Sequence, residues 1–344
     1  MIVPPVFRNT QTDNKFAGKA FTYMSTLLLH HDVFTEHAPP EGHPERPDRM
    51  RAVERILSHP HFEDLRREEA SEGQRDHALL VHPEDYVHSI EQSSPTEGEI
   101  ALDADTWMNA STLEAAYRAV GAGTRAVDAV MNMEVNNAFC AVRPPGHHAE
   151  AARAMGFCVF GSVGIAAHYA REAYGLDRVA VVDFDVHHGN GTQDIFWSHE
   201  DLFFGSTHQM PLFPGTGAVS ETGEGNIFNA PLSAGDGGDV FREAMLSRIF
   251  PALDAFQPDL VLISAGFDAH ERDPLGSLQL KEEDFAWVTL RLMDLAAKHC
   301  DGRIVSMLEG GYDLAGLSSS VGVHVKALMH GTGEAAKPVN EDEY

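Results

Sequence analysis

The sequence predicts an α/β fold whose central parallel sheet is covered by helices on both faces. Three features carry that expectation. There are four short, nearly continuous apolar runs, helix-like stretches between them, and a cluster of glycine and ionisable residues directly after each run. Apolar runs without alternation describe strands buried on both faces, and the helices between them supply the crossovers that parallel strands need. In such folds ligands bind at the carboxyl ends of the strands.

The elements follow in chain order. The first run, AFCAV at 138–142, leads into RPPGHH at 143–148. A helix-like stretch at 164–174 separates it from VAVV at 179–182, which leads into DFDVHHGNG at 183–191. A second helical pattern at 240–255 precedes LVLIS at 260–264, followed by AGFDAH. The last run, IVSML at 304–308, ends in EGGY. A strand end with a purely structural role needs turn residues, not histidine and aspartate, so four such endings together mark one functional edge.

Composition bounds the rest. A chain of 344 residues suits one large α/β domain. Hydrophobic residues make up 43%, and no apolar run approaches the ~20 residues that span a bilayer. No secretory signal pattern opens the chain. The expected division is an N-terminal extension at 1–23, a domain at 24–335 and an acidic tail at 336–344. Three cysteines without a C-x-x-C pair give no disulfide framework and no thiolate metal site, which fits the cytoplasm. With 25 basic and 52 acidic residues, the net charge of −27 argues against nucleic-acid binding. It serves solubility, and it would also attract cationic substrates.

Asp185 and His187 stand two apart, so on extended backbone they project to one face. Carboxylate and imidazole are zinc ligands, and a catalytic zinc takes three of them while keeping a position open. Asp268, after another strand, is the natural third. Read alone, a D-x-H more often marks a capped turn with an exposed histidine; the neighbouring clusters favour the metal. His147 and His148 follow a rigid Pro-Pro-Gly turn and are suited to move protons near neutral pH. Gly310 and Gly311 let the backbone approach a ligand, and the Tyr312 hydroxyl is a donor for a developing oxyanion.

At these residues the chain resembles the zinc-dependent histone deacetylase family, including bacterial deacetylase-like amidohydrolases. The resemblance runs from about Leu27 to Gly331. It rests on HPERPDR at 43–49, RPPGHHA at 143–149, GFCVF at 156–160, DFDVHHGNG at 183–191, PGTG at 214–217, SAGFDAH at 264–270 and EGGY at 309–312. It implies the arginase/deacetylase fold: a single domain around a parallel sheet of about eight strands, flanked by helices. It implies Asp185, His187 and Asp268 as zinc ligands, and His148 as general base and acid. His147 would be its electrostatic partner, backed by Asp183, with Asn190 behind His148 as in the class II branch. Tyr312 is the implied oxyanion donor. Gly156, Phe157 and Phe213 are implied walls of an acyl-lysine tunnel, with Gly310 beside the substrate. Potassium bound near the zinc is a family property, and Asp183, Asp185, His187, Ser206 and Phe196 occupy matching positions. The resemblance implies deacylation of an acylated lysine peptide or a small acylated amine, and homo-oligomers occur among relatives.

Three alternatives stay open at this point. An arginase-like binuclear hydrolase needs further carboxylates, yet Gly189 and Gly266 stand where arginase-like chains carry aspartate. Acetylpolyamine-selective members carry an acidic gatekeeper seven residues after the last zinc aspartate; here that position is Leu275, which favours acyl-lysine-like substrates. A non-catalytic acyl-lysine reader would have lost the tyrosine or a ligand, and none is lost.

Overall fold

The computed structural model describes residues 25–331. The expected N-terminal extension and acidic tail lie outside the described residues. In chain order the elements are β1 (Thr26–His30), α1 (Pro47–Leu57), β2 (Arg66–Glu69), α2 (Arg75–Ala78) and α3 (Glu84–Ser93). There follow β3 (Glu99–Ala101), β4 (Trp107–Asn109), α4 (Thr112–Met131), β5 (Asn137–Cys140) and α5 (Ser162–Tyr174). Next come β6 (Val179–Asp183), α6 (Asn190–Phe196), β7 (Leu202–Gln209), β8 (Ile227–Leu232), α7 (Gly238–Ala244) and α8 (Phe250–Phe256). The chain closes with β9 (Leu260–Ala265), α9 (Glu282–His299), β10 (Ile304–Leu308) and α10 (Leu314–His330).

Eight strands form one sheet in the order β2-β1-β5-β10-β9-β6-β7-β8. Every pairing in it is parallel. The four runs singled out in the sequence are β5, β10, β9 and β6, which are contiguous at the sheet's centre. Their side chains are buried throughout, as strands covered on both faces require. Successive residues of β10 show the two faces. The Ser306 hydroxyl meets the buried His324 of α10 at 2.8 Å, while Met307 packs beside Gly123 of α4. Because the sheet is parallel, the four motifs after these strands all emerge at one edge.

The helices start and stop for local reasons. The Asp313 side chain caps α10 by accepting from the Gly316 N–H at 2.8 Å. Gly175, at φ 65°, ends α5 in the left-handed conformation. The helical pattern at 240–255 forms α7 and α8, joined by a wider turn at Met245–Ile249. Pro251 follows that turn and has no N–H to continue a regular ladder across it. No helix among the described residues is long and apolar enough to cross a membrane.

A buried ionic cluster ties the start of the domain to its last strand. Glu45, Arg49 and Arg143 are fully buried. Glu45 pairs with Arg49 at 2.9 Å, with Nε and Nη2 of Arg143, and with His37 at 3.2 Å. Burial alone would raise the Glu45 carboxyl, but Arg143 and His37 outweigh it and hold Glu45 well below the usual range. Arg49 then donates to the carbonyls of Glu309 and Gly311, fixing the turn that precedes Tyr312.

Candidate active site

Asp185, His187 and Asp268 come together at the carboxyl end of the sheet. All three are buried, and one ligand atom from each lies within 4.8 Å of the others. His187 Nδ1 is 3.2 Å from Asp185 Oδ1 and 3.0 Å from Asp268 Oδ2. Main-chain donors orient the carboxylates: Gly310 N–H donates to Asp185 Oδ2 at 2.9 Å, and Val186 N–H to Asp268 Oδ1 at 2.8 Å. Burial pulls His187 down, yet the two carboxylates outweigh it and lift the imidazole to about 10. Burial and the Asp185 charge push Asp268 up to about 7. Two buried carboxylates and an imidazole converging on one point are a donor set suited to zinc. The set has no room for more carboxylates. A Cβ at Gly266 would stand 2.0 Å from Asp185 Oδ2, and one at Gly189 would stand 2.3 Å from Asp183 Oδ2. The arginase-like alternative therefore fails on space as well as on sequence.

The tandem histidines sit beside the triad with different partners. His147 Nδ1 meets Asp183 Oδ2 at 2.9 Å, and its Nε2 is 3.7 Å from Asp185 Oδ2. Burial opposes charge on His147, but Asp185 and Asp183 prevail and raise it well above the ordinary value. Asp183 itself is raised by burial against the pull of His147. His148 goes the other way: burial, then the charges of His147 and His187, hold it well below the ordinary value. Its Nδ1 is 2.8 Å from Asn190 Oδ1, while Asn190 Nδ2 donates to Glu150 Oε1 at 2.7 Å. Glu150 only accepts, so it fixes the Asn190 amide with its oxygen toward His148. His148 therefore carries its proton on Nδ1 and keeps a free lone pair on Nε2, the state a general base needs.

A cavity of about 260 Å³ reaches this group. Phe157, Leu212, Phe213 and Leu275 supply its apolar lining; His148, His187, Tyr312, Gly156 and Asp105 complete the wall. Burial keeps the Tyr312 phenol well above its ordinary value despite Arg49 beside it, so the hydroxyl remains a donor at neutral pH. Gly156 and Phe157 occupy the tip of a tight turn, closed by hydrogen bonds between Met155 and Cys158 in both directions. Both tip residues have positive φ, 56° and 70°. Such turns favour glycine or asparagine, so a phenylalanine held there is strained backbone of the kind kept for a functional side chain. Asp105 Oδ1 accepts from the Gly156 N–H at 3.2 Å, and Thr106 Oγ1 accepts from the Phe157 N–H at 3.0 Å.

Gly310 lies behind the carboxylates as an N–H donor, outside the cavity wall. Of the residues matched to potassium, Asp183 and Ser206 are neighbours in register on β6 and β7. The Ser206 hydroxyl is 2.9 Å from His208, and the Phe196 carbonyl accepts from Asn226 at 2.9 Å.

Several site residues have roles that the sequence alone does not assign. Glu309 Oε2 accepts from the N–H groups of Gly146 and His147 at 2.7 and 3.1 Å, pinning the turn that carries the histidines. Burial pushes Glu309 up to about 7 against the pull of His147. Asp105 and Thr106 come from the loop between β3 and β4, far from any of the four motifs. The i,i+4 spacing of Glu45 and Arg49 reads locally as an exposed helix pair; only the fold buries it.

The chain is similar to known proteins over most of its length. Residues 43–328 match the histone deacetylase domain. The "Probable deacetylase" of Archaeoglobus fulgidus is 37% identical, over 90% of this chain and 87% of that protein. The "Histone deacetylase-like amidohydrolase" of Pseudomonas aeruginosa is 37% identical, over 80% of this chain and 73% of that protein. Against the "Type-2 histone deacetylase 2" of Dictyostelium discoideum identity is 35% over 96% of this chain, which spans 22% of that longer protein. The solved HDA15 HD domain superposes with a TM-score of 0.85 at 35% identity, covering 92% of this chain and 90% of that one.

Proposed function

The chain belongs to the histone deacetylase family, and from that premise we propose that it is a zinc-dependent deacylase of acyl-lysine-like amides. The observation that carries the proposal is the cavity that joins an apolar channel to His148, His187 and Tyr312 at the buried triad. Zinc held by Asp185, His187 and Asp268 would polarise the amide carbonyl and acidify a water. His148 Nε2 takes the proton of the attacking water, with Nδ1 held by Asn190. His147, backed by Asp183, places positive charge beside the reacting centre. The Tyr312 hydroxyl donates to the oxyanion of the tetrahedral intermediate. His148 then returns its proton to the leaving amine, and a short acid and a free amine depart.

Asp183 and Ser206, with nearby main-chain oxygens, supply the hard oxygen ligands of the potassium reading. Three free, buried cysteines fit a reducing compartment such as the cytoplasm.

A second substrate class rests on Asp105, the one acidic side chain among the described residues of the cavity wall. Its carboxylate is a counter-charge for the secondary ammonium of an acetylated polyamine, in place of the acidic gate that Leu275 does not provide. The two classes separate by kcat/KM on zinc-loaded protein for an acetyl-lysine peptide and for N-acetylated spermidine, side by side. The proposal expects the peptide to be preferred. Preference for the polyamine would keep the mechanism and overturn the substrate assignment, and turnover of neither would overturn the deacylase reading.

A further inference from the structure

Asp273 sits in the loop after β9, between Asp268 and Leu275, and is 8% exposed. Its carboxylate accepts three main-chain hydrogen bonds from two separate segments. Oδ1 takes the Leu275 N–H at 2.9 Å. Oδ2 takes the N–H groups of Tyr312 at 2.7 Å and Asp313 at 3.2 Å, from the turn between β10 and α10. Leu275 and Tyr312 face the same cavity. The other anchors of the tyrosine turn act elsewhere: Arg49 holds carbonyls of Glu309 and Gly311, and Asp185 holds the Gly310 N–H. Asp273 is the acceptor for the N–H of the tyrosine itself.

We propose that Asp273 is a positioning residue, using one oxygen to set the oxyanion tyrosine and the other to set the channel wall at Leu275. A carboxylate suits the task because both of its oxygens accept. An asparagine has one accepting oxygen and turns N–H groups toward the other donor, so it releases one of the two segments. The inference rests on the deacylase reading, because it acts through the Tyr312 hydroxyl.

A double-mutant cycle tests it. Asp273→Asn is made in the wild-type chain and in Tyr312→Phe, and kcat and KM are measured with an acetyl-lysine peptide on zinc-loaded proteins of checked metal content. In the wild-type background kcat is expected to fall at least ~10-fold. In the Tyr312→Phe background the same change is expected to cost less than ~2-fold, because a misplaced ring without a hydroxyl has nothing further to lose. KM is expected to rise in both backgrounds, since Leu275 acts independently of the hydroxyl. A general structural role would lower kcat by the same factor in both. If Asp273→Asn does not fold, Asp273→Glu, which keeps both oxygens on a longer stem, is taken through the same cycle with the same expectation. Undiminished kcat, equal losses in the two backgrounds, or an unchanged KM overturns the inference while leaving the deacylase reading intact. No turnover by the wild-type chain overturns that reading, and this inference with it.

Discussion

His148 is set apart from His147 by what stands behind it. His147 leans on a carboxylate and is raised; His148 leans on the Asn190 amide and stays neutral. An aspartate at position 190 would put a negative charge against Nδ1 and raise the histidine. A general base works when neutral, so Asn190→Asp is expected to move the acidic limb of the kcat/KM profile to higher pH. A pH–rate profile checks this, and an unmoved limb would mean that His148 is not the base. The histidines and the three candidate ligands were legible in the sequence because each follows a buried apolar run within a few residues. Asp105 and Asp273 were not, and Glu309, although it opens the EGGY motif after β10, was assigned no role there. Their contacts are with main chain brought together by the fold, and no local pattern records them.

Legibility among the elements follows burial. The central strands β5, β6, β9 and β10 announce themselves because both faces are covered. β2, with the sequence RREE, is an edge strand with charged side chains and has no apolar signal. β8, the other edge, carries Pro231, which also speaks against a strand when read alone. Between helix α1 and the tyrosine turn, the buried Glu45–Arg49–Arg143 cluster does the joining. Removing the carboxylate leaves two buried guanidinium groups uncompensated. Glu45→Gln is therefore expected to destabilise the fold by about 3–5 kcal/mol, read from the urea midpoint. A shift of well under 1 kcal/mol would show that the carbonyl acceptors alone satisfy the arginines.

The sheet as a whole converts four separated motifs into one site, because four contiguous parallel strands deliver their ends to one edge. That part of the architecture was readable from alternating apolar runs and helices; the strand order was not, since nothing in a single strand names its neighbour. The concentration of acid and imidazole at that edge has a consequence for stability. His187 is raised to about 10 and Asp268 to about 7. Groups raised in the folded state stabilise it when protonated. In metal-depleted protein the Asp268 contribution is lost between about pH 4 and 7, and that of His187 between about pH 6.5 and 10. A metal displaces those protons, so its affinity rises with pH. The zinc-induced increase in Tm is expected to grow from pH 6 to pH 8; a constant or shrinking increase would contradict the ligand assignment. The central claim, metal-dependent deacylation at Asp185, His187 and Asp268, is tested most directly by acetate release from an acetyl-lysine peptide. Metal-depleted protein is measured before and after one equivalent of zinc, beside Asp185→Ala. No turnover is expected without metal, with recovery at one zinc per chain, and neither tight zinc binding nor turnover is expected in the variant. Full turnover by the metal-depleted protein, or by Asp185→Ala, would contradict the claim.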